Sequence, residues 1–241
     1  MAPRSVRPVA AAAALFALLA AVTAGCSAQE TGQAVPAATP AAGEDTGAGE
    51  PSAGSSADPS ADAGAEDPSA GIEDIEIVDY PNKSHVTAPD RVAYDQAPPF
   101  GGPHDAVWAA CNGAVYATAV RNEHMVHSLE HGAVWIAYDP ARVTGAALDS
   151  LRATVTGQPY LMLSPYPGLD RPISLQSWGH RLKVDSPDDE RIAAFVRALR
   201  ANPATHPEPG ATCDVRPDVF DVDNPPPFED TPPGPDAVPV G

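Results

Sequence analysis

Residues 122–138 read N-E-H-M-V-H-S-L-E-H-G-A-V-W-I-A-Y and contain three of the chain's seven histidines, followed at once by its most strand-like run. Asn122 is a good N-cap, and Gly132 is the residue type that best tolerates a left-handed helix terminus. A short helix between them places His124, His127 and His131 within about 60° of one another on one face. Val126 and Leu129 then point the other way, toward a core. Ala133–Tyr138 follows as a strand. One helix–strand junction therefore sets the fold and offers a candidate site.

Outward from this junction, the C-terminal half is regular. Val143–Val155 has apolar residues at positions 143, 147, 148, 151 and 155, which is a helical spacing. Tyr160–Leu163 is a short strand, and Ser164–Gly168 a proline turn. Pro172–Trp178 and Arg181–Val184 read as two strands joined at Gly179. Ser186 and Asp189 form a capping box with Pro187 at the first helical position, ahead of a stripe of Ile192, Phe195, Val196 and Leu199. The N-terminal half is irregular. Ile72, Ile75 and Ile77 alternate with acids, as in an edge strand. The loop Pro98-Pro99-Phe100-Gly101-Gly102-Pro103-His104 is too rich in proline and glycine for helix or strand. Trp108, Cys111 and Tyr116 are expected to pack under the sheet. The fold class is α/β (α+β), a single mixed sheet with helices packed on it and a long Pro/Gly-rich loop before them.

The ends differ from this core. Arg4 and Arg7 precede an apolar run of fourteen residues, Val9–Val22, too short to span a bilayer but suited to a secretory signal. Ala24 and Gly25 directly before Cys26 resemble the lipobox of bacterial lipoproteins, although Thr23 stands where an aliphatic residue is usual. The resemblance implies cleavage of residues 1–25 and a diacylglycerol on the Cys26 sulfur. Residues 26–70 have no aromatic side chain, and beyond Cys26 they hold eight acids and no Lys or Arg. Such a segment cannot bury enough apolar surface to offset its ordering entropy, so it reads as a disordered tether. Residues 214–241 are proline-rich, with seven acids against Arg216, and read as a disordered tail. The globular domain is then 71–213. Much of the net charge of −18 lies in these ends, and its sign argues against nucleic acid as a partner.

With Cys26 assigned to lipid, Cys111 and Cys213 remain as a pair. In an exported chain two such cysteines usually form a disulfide, and closing a loop of this length stabilises by roughly 4–5 kcal/mol. The rival reading makes Cys111 a thiolate ligand, seven residues after His104.

The motifs G-P-H at 102–104, W…C-x-G-x-x-Y at 108–116, E-x-x-V-H-S-L-E-H-G-A-V-W at 123–135 and P-E-P-G-A-x-C at 207–213 resemble a family of exported bacterial proteins. S-P-Y-P-G-L at 164–169 and S-W-G-x-x-L at 177–182 agree with it. That family is domain of unknown function 3105, common in actinobacterial lipoproteins, and it brings no established activity. His104, Glu123, His127, Glu130, His131 and Gly132 match its pattern. His124 and His180 fall at positions where the resemblance requires no histidine.

Two imidazoles at i and i+4 on a helix, with a third ligand from a loop, are a frequent metal arrangement. Helix geometry nominates His124, His127 and His131. The resemblance selects His127 and His131 and adds His104; His85, the other histidine of the N-terminal loop region, is expected as the fourth group because that loop is placed to close over the helix face. Copper or zinc suits such donors, and Met125 or Met162 would add a thioether favouring copper. Two other readings stand beside this one. The histidines are structural, in an interaction module of the envelope; or His127-Ser128-Leu129-Glu130-His131 is the H-x-x-E-H of a zinc hydrolase, with Glu130 as base and Glu190 as the only downstream acid on a predicted helix. The expectation is a non-enzymatic lipoprotein on the outer face of the cell membrane, meeting an envelope protein or a metal donor or acceptor.

Overall fold

The computed structural model describes residues 66–241. The lipobox, Cys26 and the tether up to residue 65 lie outside the described residues. In chain order the elements are β1 (Glu76–Ile77), β2 (His85–Val86), β3 (Val92–Ala93), β4 (His104–Asp105), β5 (Asn112–Val115), α1 (Asn122–Glu130) and β6 (Val134–Tyr138). They continue with α2 (Gly145–Val155), β7 (Leu161–Pro165), β8 (Ile173–Ser177), β9 (His180–Val184), α3 (Glu190–Leu199) and β10 (Val238–Pro239).

Six strands form one mixed sheet in the order β1-β9-β8-β6-β7-β5. The β6–α2–β7 unit returns parallel, as a helical crossover must, while β8 and β9 form an antiparallel hairpin turning at Gly179. β6 lies at the centre with every residue buried, which explains its near-continuous apolar sequence. Its side chains alternate between two cores. Val134, Ile136 and Tyr138 join Leu161, Leu163, Leu182 and the buried residues of α2 and α3. Trp135 and Ala137 face the other way, onto Met125, Val126 and Leu129 of α1 with Met162 and Phe100. The histidine helix and the α2/α3 pair therefore cover opposite faces of the sheet.

Several local expectations shift. The cap of α3 is Asp189, whose carboxylate accepts from the Arg191 N–H, so the helix begins after the Ser186–Pro187 turn and not within it. α1 is preceded by Arg121 with no side-chain cap, and Asn122 is its first helical residue. From Glu123 to Glu130 every residue of α1 is buried, polar ones included, because the Pro/Gly loop covers the face that a surface helix gives to water. Within that loop β2 pairs with β4 in parallel, a two-residue ladder beside the main sheet.

Both domain boundaries extend. Ser69 is fully buried, and Asp67 accepts from His180 at 2.7 Å, so order begins before residue 71. The stretch 214–241, expected to be a disordered tail, lies against the domain. Phe220 is buried, the Phe228 ring packs tilted against Tyr166 at 4.8 Å, and β10 pairs in parallel with β3. Its composition hid these anchors. Proline-rich chain is already extended and loses little entropy on docking, so a few apolar side chains are enough to hold it.

Candidate metal centre

The site starts from the two-residue ladder. The β2–β4 register sets His85 directly opposite His104, with ring centroids 4.8 Å apart. α1 lies across this pair. His127 stacks on His85 at 5.0 Å and stands 4.8 Å from His104. One turn on, a Glu130 carboxylate oxygen reaches His104 Nε2 at 2.8 Å and His85 Nε2 at 3.6 Å. Donor atoms of His85, His104, His127 and Glu130 all lie within 4.8 Å of one another. Four donors around a tetrahedral zinc ion at ~2.0–2.2 Å are about 3.4 Å apart, so closing on an ion draws the most separated of them together by about 1 Å. His104, His127 and Glu130 are buried; His85 is 46% exposed and opens the group to solvent.

The loop is fixed to the helix by a buried ionic network. Arg121 bonds the Asp105 carboxylate and the Asp90 carbonyl, and its Nε stands 3.3 Å from Glu123. Glu123 accepts in turn from the Val92 N–H at 2.9 Å. Losing one member would leave a buried charge uncompensated, so these residues position the loop that bears His104.

A second group follows at the C-terminal end of α1. His131 packs edge-on to His127 at 4.7 Å, and its Nε2 stands 3.4 Å from the Glu208 carboxylate. Donor atoms of His127, His131 and Glu208 also lie within 4.8 Å of one another. Segment 205–213 supports this end. His206 Nδ1 donates to the Glu130 carbonyl at 3.0 Å, and Cys213 is bonded to Cys111, beside the loop. That disulfide removes Cys111 as a thiolate ligand. Gly132 has φ +93, and a Cβ there would lie 2.6 Å from His206 Nε2, so glycine is required by both backbone and neighbour.

Tautomers follow from the backbone. A carbonyl only accepts, so each ring nitrogen bonded to one carries the proton. His104 Nδ1 donates to Gly102 O at 2.8 Å, His127 Nδ1 to Asp105 O at 2.5 Å, and His131 Nδ1 to Thr212 O at 2.7 Å. In His127 and His131 the nitrogen left with a lone pair is Nε2, whereas His104 Nε2 faces the Glu130 carboxylate. Burial pushes His127 down to about 4, beyond what its carbonyl bond restores, and the neighbouring imidazoles of His104, His131 and His85 add to the fall. Burial lowers His131 as well, against the opposing pull of Thr212 and Glu208. Burial alone would raise Glu130, but the hydrogen bond from His104 and the surrounding imidazoles hold it below the ordinary carboxylate range. Neutral imidazoles beside an ionised carboxylate are the protonation states that bind metal. The pairing of His104 Nε2 with Glu130 at 2.8 Å requires a positive centre there, either a proton or a metal ion.

The structure thus brings together His85, His104 and His127, with Glu130 in place of His131 as the fourth donor; His131 belongs to the second group. His124 joins neither group; its Nδ1 donates to Val107 O at 2.6 Å and its ring packs on Phe220. His180 pairs with Asp67, on other elements. Met125 and Met162 are fully buried in the apolar cluster of this face. Trp108 lines the site and does not pack under the sheet: its ring lies 4.8 Å from His131 and 5.5 Å from His127, and its Nε1 is buried without an acceptor. Glu190 is exposed at the start of α3, across the sheet, so the hydrolase reading loses its downstream acid. Sequence reasoning assigned Glu130 only the role of base and missed Glu208. Both stood in quoted motifs, Glu130 at i+3 from His127 and Glu208 in P-E-P-G-A-x-C.

The family described as "Protein of unknown function (DUF3105)" matches residues 85–215, a span that includes every donor of both groups. No curated protein and no solved structure matches the chain.

Proposed function

The chain belongs to the DUF3105 family, and we propose from its side-chain geometry that it is a metal-binding protein of the cell envelope that holds copper or zinc without catalysing a reaction. The observation that carries this reading is the prearranged donor set. His104 and His127 each tie Nδ1 to a backbone carbonyl and offer Nε2 beside the Glu130 carboxylate, with His85 completing the group. A ring nitrogen held by a carbonyl is the usual second layer of a histidine metal ligand, fixing both tautomer and orientation. Three nitrogens and one carboxylate oxygen suit zinc or copper(II) better than magnesium or calcium, which prefer oxygen alone.

The proposal extends to place. A lipid on Cys26 would hold the domain at the outer face of the cell membrane, where it exchanges its ion with an envelope protein or another metal donor or acceptor. The lipobox-like residues before Cys26 support this, and Cys26→Ala should release the protein from the detergent phase. The rival is a set of structural histidines, favoured by the direct 2.8 Å contact between His104 and Glu130.

Elemental analysis and calorimetric titration of exported, untagged protein decide between the two. The expected result is one zinc or copper per domain. His104→Ala, His127→Ala and Glu130→Gln should each weaken binding by at least ~10–100-fold, the scale seen even for outer-layer changes, while His124→Ala leaves it intact. Equal, weak binding by all five proteins would leave the histidines structural.

A further inference from the structure

We infer that the domain carries one ion in two alternative stations that share His127: an inner one of His85, His104, His127 and Glu130, and an outer one of His127, His131 and Glu208. This inference rests on the metal-binding reading above and concerns how the ion is held and exchanged. His127 appears in both donor groups. Its Nδ1 is committed to the Asp105 carbonyl at 2.5 Å, so the ring has one lone pair, on Nε2, to give. A bridging imidazolate would need Nδ1 as well, and that nitrogen faces the backbone. Two ions therefore cannot both use His127, and either group without it is reduced. The outer group would keep only His131 and Glu208.

The stations differ in what surrounds them. His104 and Glu130 of the inner group are buried, whereas the Glu208 carboxylate of the outer group is 48% exposed. His131 presents Nε2 toward Glu208, fixed by its own Nδ1 bond to Thr212. The stations adjoin at His127, whose ring packs edge-on to that of His131 at 4.7 Å. An ion moving from inner to outer keeps its bond to His127 while it trades His85, His104 and Glu130 for His131, Glu208 and water. No step leaves it without a protein ligand. The outer station is thus the point of exchange with a donor or acceptor, and Glu208, on the segment tied down by the Cys111–Cys213 disulfide, is its most accessible donor.

Copper(II) is the probe, because its affinity for nitrogen and oxygen donors exceeds that of the other divalent first-row ions and its electron paramagnetic resonance reports the ligands. The full exported chain, titrated with copper(II) alone, should saturate at one ion and show two spectra. Their ratio should stay constant up to saturation, because the two species interconvert within one molecule. His131→Ala and the conservative, surface Glu208→Gln should each remove the outer spectrum and keep the stoichiometry at one. Glu130→Gln should shift the population to the outer spectrum, and removal of copper by a chelator should slow at least tenfold in Glu208→Gln. Saturation at two ions overturns the shared-ligand inference. So does a single spectrum indifferent to His131→Ala and Glu208→Gln, or a chelator rate unchanged in Glu208→Gln. Failure to bind any copper overturns instead the reading on which the inference rests.

Discussion

The two faces of the sheet are built on different principles. On the α2/α3 face the core is apolar throughout, and α3 buries only Ile192, Phe195 and Leu199 of its ten residues. On the α1 face eight of nine helical residues are buried, and they include Glu123, His124, His127 and Glu130. The first face follows the rule that a helix gives one stripe to the core and the rest to water. The second accepts buried polar groups, each of which must find a partner or cost stability. The difference teaches that the apolar face supplies packing free energy for a neighbour that is richer in buried polar groups.

The largest effect should come from the apolar face. Phe195 is fully buried, and Phe195→Ala should lower stability by about 3–5 kcal/mol in a denaturant titration. Metal affinity of the folded fraction should not change, because no donor of either group lies on that face. A parallel loss of affinity would show that the faces are coupled and that the comparison is too sharp.

The α1 face depends more on a cross-link. Cys111 and Cys213 join segments 102 residues apart, both in the cluster beneath α1. Cys111→Ser should cost on the order of 2–5 kcal/mol by freeing that loop. Hydrogen exchange should then rise first in 205–213 and the His104 loop, ahead of β6, β8 and β9. Uniform acceleration across the sheet would mean that the bond stabilises both faces alike.

Acid should also separate the faces. His127 is held near 4 in the fold against an ordinary 6.5, so between those values the unfolded chain takes a proton that the fold refuses. The His127 contribution to the stability of the metal-free protein should therefore fall as pH drops from 6.5 to 4 and level off below, by on the order of 3 kcal/mol. His124, His131 and His206 are lowered in the same direction and add to the slope. Glu130 contributes only below about 4.5, where its depressed carboxyl begins to protonate in the unfolded chain. His127→Asn keeps a donor for the Asp105 carbonyl and should flatten the slope; thermal melts from pH 7.5 to 4.5 would show it. An unchanged slope would locate the acid sensitivity elsewhere.

The same contrast explains what the sequence disclosed. β6, the β8–β9 hairpin, α2 and α3 follow local rules of period and turn chemistry, and their expected positions hold within a few residues. The burial of α1 on all sides follows no local rule, because the loop that covers it comes from residues 85–107. Glu130 looked like a catalytic base within its pentapeptide, and only its contact with His104, 26 residues away, makes it a donor. The docking of 214–241 was hidden by average composition, since Phe220, Phe228 and Val238 are sparse in a run of prolines and acids. Pairings across long chain separations have no period to read.

The smallest effect concerns the two helix starts. Asp189 caps α3, its carboxylate accepting from Arg191 N at 3.0 Å, and Asp189→Ala should cost about 1 kcal/mol. Asn122 resembles a cap equally well in sequence, yet its Oδ1 is buried with no hydrogen-bond partner and α1 has no side-chain cap. An unpaired buried carbonyl already carries its desolvation cost, so Asn122→Ala should be milder than Asp189→Ala despite the lost contacts. α1 is held instead by Arg121, which anchors its first turn to Asp105 and Asp90, and by burial along its length. Denaturation midpoints of the two alanine variants give the test. If Asn122→Ala proves the more damaging, α1 depends on its local start as α3 does, and the contrast between a helix formed by local signals and one imposed by its surroundings fails at the element that carries the donors.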